Sequence, residues 1–370
     1  MVRIADITAL LGEIVPLAYQ ESYDNSGLQV GDSQAETASA ILTLDVTEKV
    51  IDEAIELGAG LVISHHPVLF GGLKKLTGDS STEKIVLKAI KNNIAIYSAH
   101  TNLDVIPGGV SYRLAQKLGL NNPEPLAPLS GKLVKLAVFT PDSHVEKVRD
   151  AMFLAGAGQI GNYDHCSFNT PGTGTFRAGD TANPYSGNRG EDHSGDEVRT
   201  EVIMPRHLLP RVIKAMTLAH PYEEVAYDIY NLDNTLPGAG MGITGELEAA
   251  MDPGEFLEHL RKSVGLQGLR YGHGKGTPIR KVALCGGSGS PLISAAISSG
   301  ADAFVTGDIK YHSFHDAEGK ILLADIGHFE SEKFSLEILY EIITKKFPKF
   351  AVRFSKINTN PVNYLPTWKK

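Results

Sequence analysis

The sequence predicts an α/β protein in which two outer segments of βαβ character form one domain, interrupted by an inserted ferredoxin-like βαββαβ domain. Three observations carry this. Short apolar runs alternate with helical patterns in the first third of the chain, and the last third repeats the alternation. Strands separated by helix-length connections make parallel sheets. Between them, about residues 127–240 carry a complete strand–helix–strand–strand–helix–strand order of their own, which is the ferredoxin-like order.

The elements follow in turn. Ile41 to Val46 (ILTLDV) is a short β-branched run, and Thr47 is placed to cap the helix TEKVIDEAIELG, which Gly58 ends. LVIS (61–64) is the next buried strand, and Ser81 or Thr82 opens the helix STEKIVLKAIKNN. IAIYSA (94–99) is a third strand, with a helix from about Gly109 to Leu118. Near the end, Lys281 to Leu284 leads through CGGSGS into a helix at Pro291 to Ser299. AFVT (303–306) and ILLAD (321–325) are further strands, and Phe329 begins one long amphipathic helix. In the middle, strands are expected at 133–140, 166–177, 197–204 and 225–232, with helices at 144–154 and 208–219. The stretch AGDTANPYSGNRGEDHSGD (178–196) is rich in turn-forming residues and reads as a long, mobile hairpin loop. The expected domains are therefore 1–126 with 241–370, and 127–240.

Composition narrows the function classes. The 370 residues are 42% hydrophobic and 21% charged, as in folded globular proteins, and exceed one ordinary core. A formal net charge of -8 argues against a general nucleic-acid coat. Only two cysteines, Cys166 and Cys285, stand far apart, which argues against a disulfide framework and fits a reducing, cytoplasmic setting. Asp6 and Glu13 interrupt the apolar N-terminus, a poor signal peptide, and no run reaches membrane-span length.

The chemistry gathers at strand ends, where open α/β sheets bind ligands. His65 and His66 follow LVIS; His100 follows IAIYSA, with Asp104 four residues on; His328 follows ILLADIG. Glu332 lies at i+4 from His328 and shares its helix face, whereas Glu330, at i+2, faces away. Imidazoles with carboxylates suit Zn, Fe, Mn, Ni or Co. Two such divalent ions would need a bridging anion, for which Glu332 is the candidate. Taken singly, a histidine at a strand end is an ordinary hydrogen-bonded loop residue; three such ends in one chain favour a site. CGGSGS either offers backbone N–H groups to an anion or is a tight structural turn. Asp308, Lys310 and His312, in TGDIKYH, follow a strand, and Asp308 and His312 are candidate acid–base residues for the same cleft or its supports. Asp45 and Asn25 are weaker candidates. No nucleophile is assigned: Cys285 has no evident base, and no nucleophile elbow occurs.

Six motifs, ESYDNSGLQVGD (21–32), ISHHPVLF (63–70), SAHTNLD (98–104), CGGSGS (285–290), TGDIKYH (306–312) and DIGHFESE (325–332), together resemble the NIF-three-like family. AGAGQIGNYDHCSF (155–168) and AHPYEEVAYDIY (219–230) resemble the insertion of its longer bacterial members, which is similar to CutA and PII-like domains. The resemblance implies a dinuclear metal centre bound by His65, His66, Asp104, His328 and Glu332, and a toroidal homohexamer with the metal sites facing an inner cavity. Members are often labelled GTP cyclohydrolase type-two homologues. That label implies a metal-dependent hydrolase acting on a nucleotide-like or phosphorylated small molecule. The alternative is a metal-handling or regulatory scaffold whose insert senses a ligand.

Overall fold

The structure is a computed structural model that describes residues 1–365. It divides into two compact units, Met1–Pro128 with the chain from Gly238 onward, and Leu129–Pro237.

The first unit holds two separate principal sheets. One has five strands in the order Ala351–Phe354, Ser39–Thr43, Leu61–Ser64, Ala95–Ser98, Gly27–Val30. The first four are parallel and Gly27–Val30 is antiparallel to its neighbour. The helices Glu48–Leu57 and Ser81–Lys91 make the crossovers. Thr47 caps the first of these through its side chain, and Gly58 ends it in the left-handed conformation (φ 64°). Central strands Leu61–Ser64 and Ala95–Ser98 are wholly buried, which is why they read as continuous apolar runs without alternation. The other sheet has six strands in the order Arg270–Gly272, Leu322–Asp325, Ala303–Gly307, Ile279–Ser288, Gly240–Met251, Asn121–Pro128. Its middle three are parallel, and the outer pairings are antiparallel. Each sheet has its own core, one around Ile41, Val62 and Ile96, the other around Phe256, Leu284 and Val305.

The two ends of the chain exchange strands: Ala351–Phe354 completes the sheet built by the first segment, and Asn121–Pro128 the sheet built by the last. The single long helix expected from Phe329 is instead two, His328–Glu332 and Ser335–Lys346. The break sets Glu332 at the end of a helix of one turn. Strands Gly27–Val30, Asn121–Pro128 and Gly240–Met251 were not legible, because proline, glycine or polar residues interrupt their apolar pattern.

In the second unit, Leu133–Pro141, Val145–Leu154, Phe168–Arg177, Asp192–Pro205, Leu209–Ala219 and Tyr227–Leu232 follow as strand, helix, strand, strand, helix, strand. The sheet is antiparallel throughout, with the fourth strand beside the first, then the third, then the second. Both helices pack on one face, over Val134, Leu136, Val202 and Met204. The hairpin connection is shorter than its composition suggested, since Asp192–Asp196 are in the strand. It is also tied down: Gly190 N–H donates to Ala178 O at 2.8 Å, and Asn183 N–H to Glu223 at 2.7 Å.

Candidate metal centre

Past Leu61–Ser64 the chain bends, with His65 N–H bonded to Thr43 O and His66 N–H to Leu44 O. The pair is thereby fixed at the carboxyl edge of the five-stranded sheet. His65 is fully buried. Its Nδ1 lies 2.8 Å from Ala99 O, so the proton sits on Nδ1 and Nε2 carries a lone pair. That lone pair faces Asp104 Oδ1 and Glu332 Oε1, each 3.7 Å away. His65 Nε2 and Asp104 Oδ1 are both buried without a hydrogen-bond partner.

A second group adjoins the first. His66 Nδ1 is held by Asp45 Oδ1 at 2.7 Å, and His328 Nδ1 by Asp308 Oδ2 at 2.6 Å. Both Nε2 atoms therefore point at each other, 3.1 Å apart, and each lies 2.9 Å from Glu332 Oε2. Three polar atoms so close need positive charge among them, carried by protons on the two imidazoles or by a metal ion that displaces those protons. Glu332, 3% exposed, thus presents one oxygen to each group. Its neighbours keep it ionised: burial alone would raise its pKa, but His65, His328 and His66 pull it well below the usual range. Burial would likewise lower His66 and His328, yet the bonds to Asp45, Asp308 and Glu332 prevail and bring them up to about 10 and about 9. Burial raises Asp104 to about 7.

The donor set fits metal ions. Three overlapping groups of ligand atoms occur among the described residues: His65, Asp104 and Glu332; His66, His328 and Glu332; His65, His66 and His100. Within each, the atoms lie within 4.8 Å of one another. A tetrahedral ion with bonds of about 2.0–2.2 Å sets its ligands roughly 3.3–3.6 Å apart, close to the 3.7 Å around His65 Nε2.

Asp308 does not enter the cluster; it holds His328 from behind, in a left-handed backbone conformation (φ 57°) that aspartate tolerates better than most residues. His312 is not brought to the cluster at all: it is exposed on the helix Tyr311–Ala317, with its ring against Tyr311. Lys310 is also exposed. Glu330 turns away and accepts from Asn360 Nδ2 at 3.0 Å. CGGSGS is a packing turn: its amides at Gly286, Gly287 and Gly289 are taken by Ser111, Ser331 and Thr306. Gly287 (φ 64°) is required because a Cβ there would meet Glu332 Oε1. Cys285 is buried, which raises its thiol above the ordinary range.

Two groups were missed or undervalued from sequence. Asp24 grips His100 Nδ1 at 2.8 Å and also accepts from Thr101 N–H and Oγ. Thr359 Oγ donates to Asp45 Oδ2 at 3.0 Å, behind His66. Asp24 lies in the motif of residues 21–32 but meets His100 only through the fold, and Thr359 carries no local signal.

Two parallel-sheet edges that deliver buried imidazoles and carboxylates to one point define a mixed α/β protein with a cluster able to hold metal ions. Comparison with known proteins agrees and is more specific. Residues 2–361 match the family described as DUF34/NIF3 (NGG1p interacting factor 3), and the chain belongs to that family. A Bacillus subtilis (strain 168) protein named GTP cyclohydrolase 1 type 2 homolog is 41% identical over 369 residues, covering 97% of this chain and 98% of that protein. The crystal structure of a Bacillus cereus protein related to NIF3 matches with a TM-score of 0.85 and 41% identity, over 98% of this chain and 99% of that one. A Staphylococcus aureus protein matches with a TM-score of 0.78 and 30% identity over the same shares.

Proposed function

We propose that this chain binds two divalent metal ions through His65, His66, Asp104, His328 and Glu332 and is a metal-dependent hydrolase of a nucleotide-like or phosphorylated small molecule. The observation that carries the reading is Glu332, whose two oxygens face two distinct sets of donor atoms. Zinc suits the donors, as do iron, manganese, nickel and cobalt. When bound, such ions supply Lewis acidity toward a carbonyl or phosphoryl centre and lower the pKa of water.

The protein's own groups have three tasks. Asp45 and Asp308 orient His66 and His328 and fix their tautomers. Glu332, with one oxygen toward each group of donors, would screen two bound ions from each other. His100, anchored by Asp24 through Nδ1, keeps Nε2 for a proton passing to or from a substrate in the cleft. The cleft, about 610 Å³, has no lysine or arginine among its described lining residues.

The motif resemblance further supports a cytoplasmic homohexamer, and the four-strand order of Leu129–Pro237 supports reading about 127–240 as an inserted ferredoxin-like, CutA/PII-like domain. The test of the enzyme reading is a metabolite-pool screen on metal-loaded protein, read by mass spectrometry. Turnover should depend on metal and vanish in Glu332→Ala. Two tightly bound ions with no turnover across nucleotide and phosphoester pools would instead favour a metal-handling scaffold.

A further inference from the structure

Two large aromatic side chains stand out beside the metal centre. Tyr23 is 66% exposed and Phe70 55% exposed, and both line the cleft that opens onto His66, Asp104 and Glu332. Folding ordinarily hides such rings, since each carries a large apolar area. Here the backbone holds them out. The loops that carry them are fastened together: Asn25 Nδ2 donates to Leu69 O at 2.6 Å, and Gln29 Nε2 to the same oxygen at 2.9 Å. Gln29 Oε1 in return accepts from Val68 N–H at 2.8 Å. Phe70 also meets the His100 ring edge-on, at 5.7 Å between centroids. Val46, Val68, Ile85 and Met241 add apolar lining, beside the polar side chains of Ser81 and Thr82 and those of the donor cluster.

We infer that the cleft takes a flat aromatic heterocycle, its ring body against Tyr23 and Phe70 and its polar edge toward the metal centre. This rests on the metal-site reading above and specifies the substrate class. The chemistry follows from the surfaces. Aromatic faces at the rim favour an unsaturated ring over a sugar or an aliphatic chain. The floor of imidazoles and carboxylates, loaded with dications, favours a ring whose edge carries oxygen or nitrogen donors. The cleft's described lining offers no cationic side chain to a polyphosphate tail, so recognition centres on the ring.

The test is calorimetric titration of the metal-loaded full chain with guanosine, xanthosine, uridine and pterin, beside ribose and inorganic phosphate, with metal content measured on every sample. At least one heterocycle should bind at least tenfold more tightly than ribose. Tyr23→Leu with Phe70→Leu should weaken that heterocycle by about tenfold and leave phosphate affinity and metal content unchanged, while Tyr23→Phe should retain binding. If none of the four heterocycles binds, or the double variant binds the preferred one as well as the parent does, the inference is wrong. Heterocycle binding with no turnover of any nucleotide or phosphoester would remove the hydrolase reading and leave this one standing. Loss of metal in the parent would instead remove the metal-site reading.

Discussion

At the scale of single residues, Glu332 and Glu330 make a sharp pair. Both are buried, 3% and 9% exposed, and they are two positions apart on one helical turn. Glu332 meets three histidines, whereas Glu330 meets Asn360. Glu332→Gln should therefore reduce bound metal from two ions per chain toward one or none, and Glu330→Gln should change it little. Elemental analysis of the purified variants decides this; the reverse pattern would sink the assignment of the bridge. Protonation adds a second expectation. His66, His328 and Asp104 have pKa values raised to about 10, about 9 and about 7, so near neutral pH they hold protons that an ion must displace. Because raised values mean protons held more tightly, metal affinity should fall as pH drops from 8 to 6. Calorimetric titration with metal in two buffers of different ionisation enthalpy should report protons released on binding. The i+4 relation of His328 and Glu332 was legible because it is a property of one helical turn. Asp24 was not, since its bond to His100 joins residues far apart in the chain.

At the scale of elements, the chain's last described stretch behaves as a strap. After Ala351–Phe354 pairs with Ser39–Thr43, Ser355 Oγ and Lys356 N–H bind Glu53, and Ile357 packs on the core of the first sheet. Thr359 then reaches Asp45, which holds His66. Thr359→Val should loosen that chain of contacts and weaken metal binding by about tenfold, as loss of an outer support commonly does. Chelator competition followed by absorbance would measure it, and unchanged affinity would show Asp45 to be fixed without Thr359. Strands Leu61–Ser64, Ala95–Ser98, Ala303–Gly307 and Leu322–Asp325 could be read in advance because burial on both faces leaves an unbroken apolar run. The strap was illegible for the opposite reason. NTNPVN has no period, and its order comes from side chains elsewhere. The helix break after Glu332 was equally hidden, because Phe329 and Phe334 keep an apolar pattern running through it.

At the scale of the molecule, Gly240 pairs directly with Pro128 in the six-stranded sheet. The chain thus leaves the first unit and returns to it at neighbouring points of adjacent strands. A short Gly/Ser link in place of residues 129–237 should close the gap, leaving a soluble protein that still binds metal. Elemental analysis and circular dichroism of that variant test it, and insolubility at every temperature would refute separability. The strand exchange between the two ends has a consequence for the order of events at the ribosome. His65, His66 and Asp104 emerge early, but the edge strand Ala351–Phe354 that completes their sheet is made much later, as are His328 and Glu332. A nascent chain halted before residue 328 carries the first donors and lacks those that would balance them. The intervening unit, whose strands pair only among themselves, meanwhile has what it needs to fold during the wait. Metal uptake would then mark synthesis that has passed Glu332, since chains cut short of it lack two of the proposed donors and metal held by the longer chain would add to its stability.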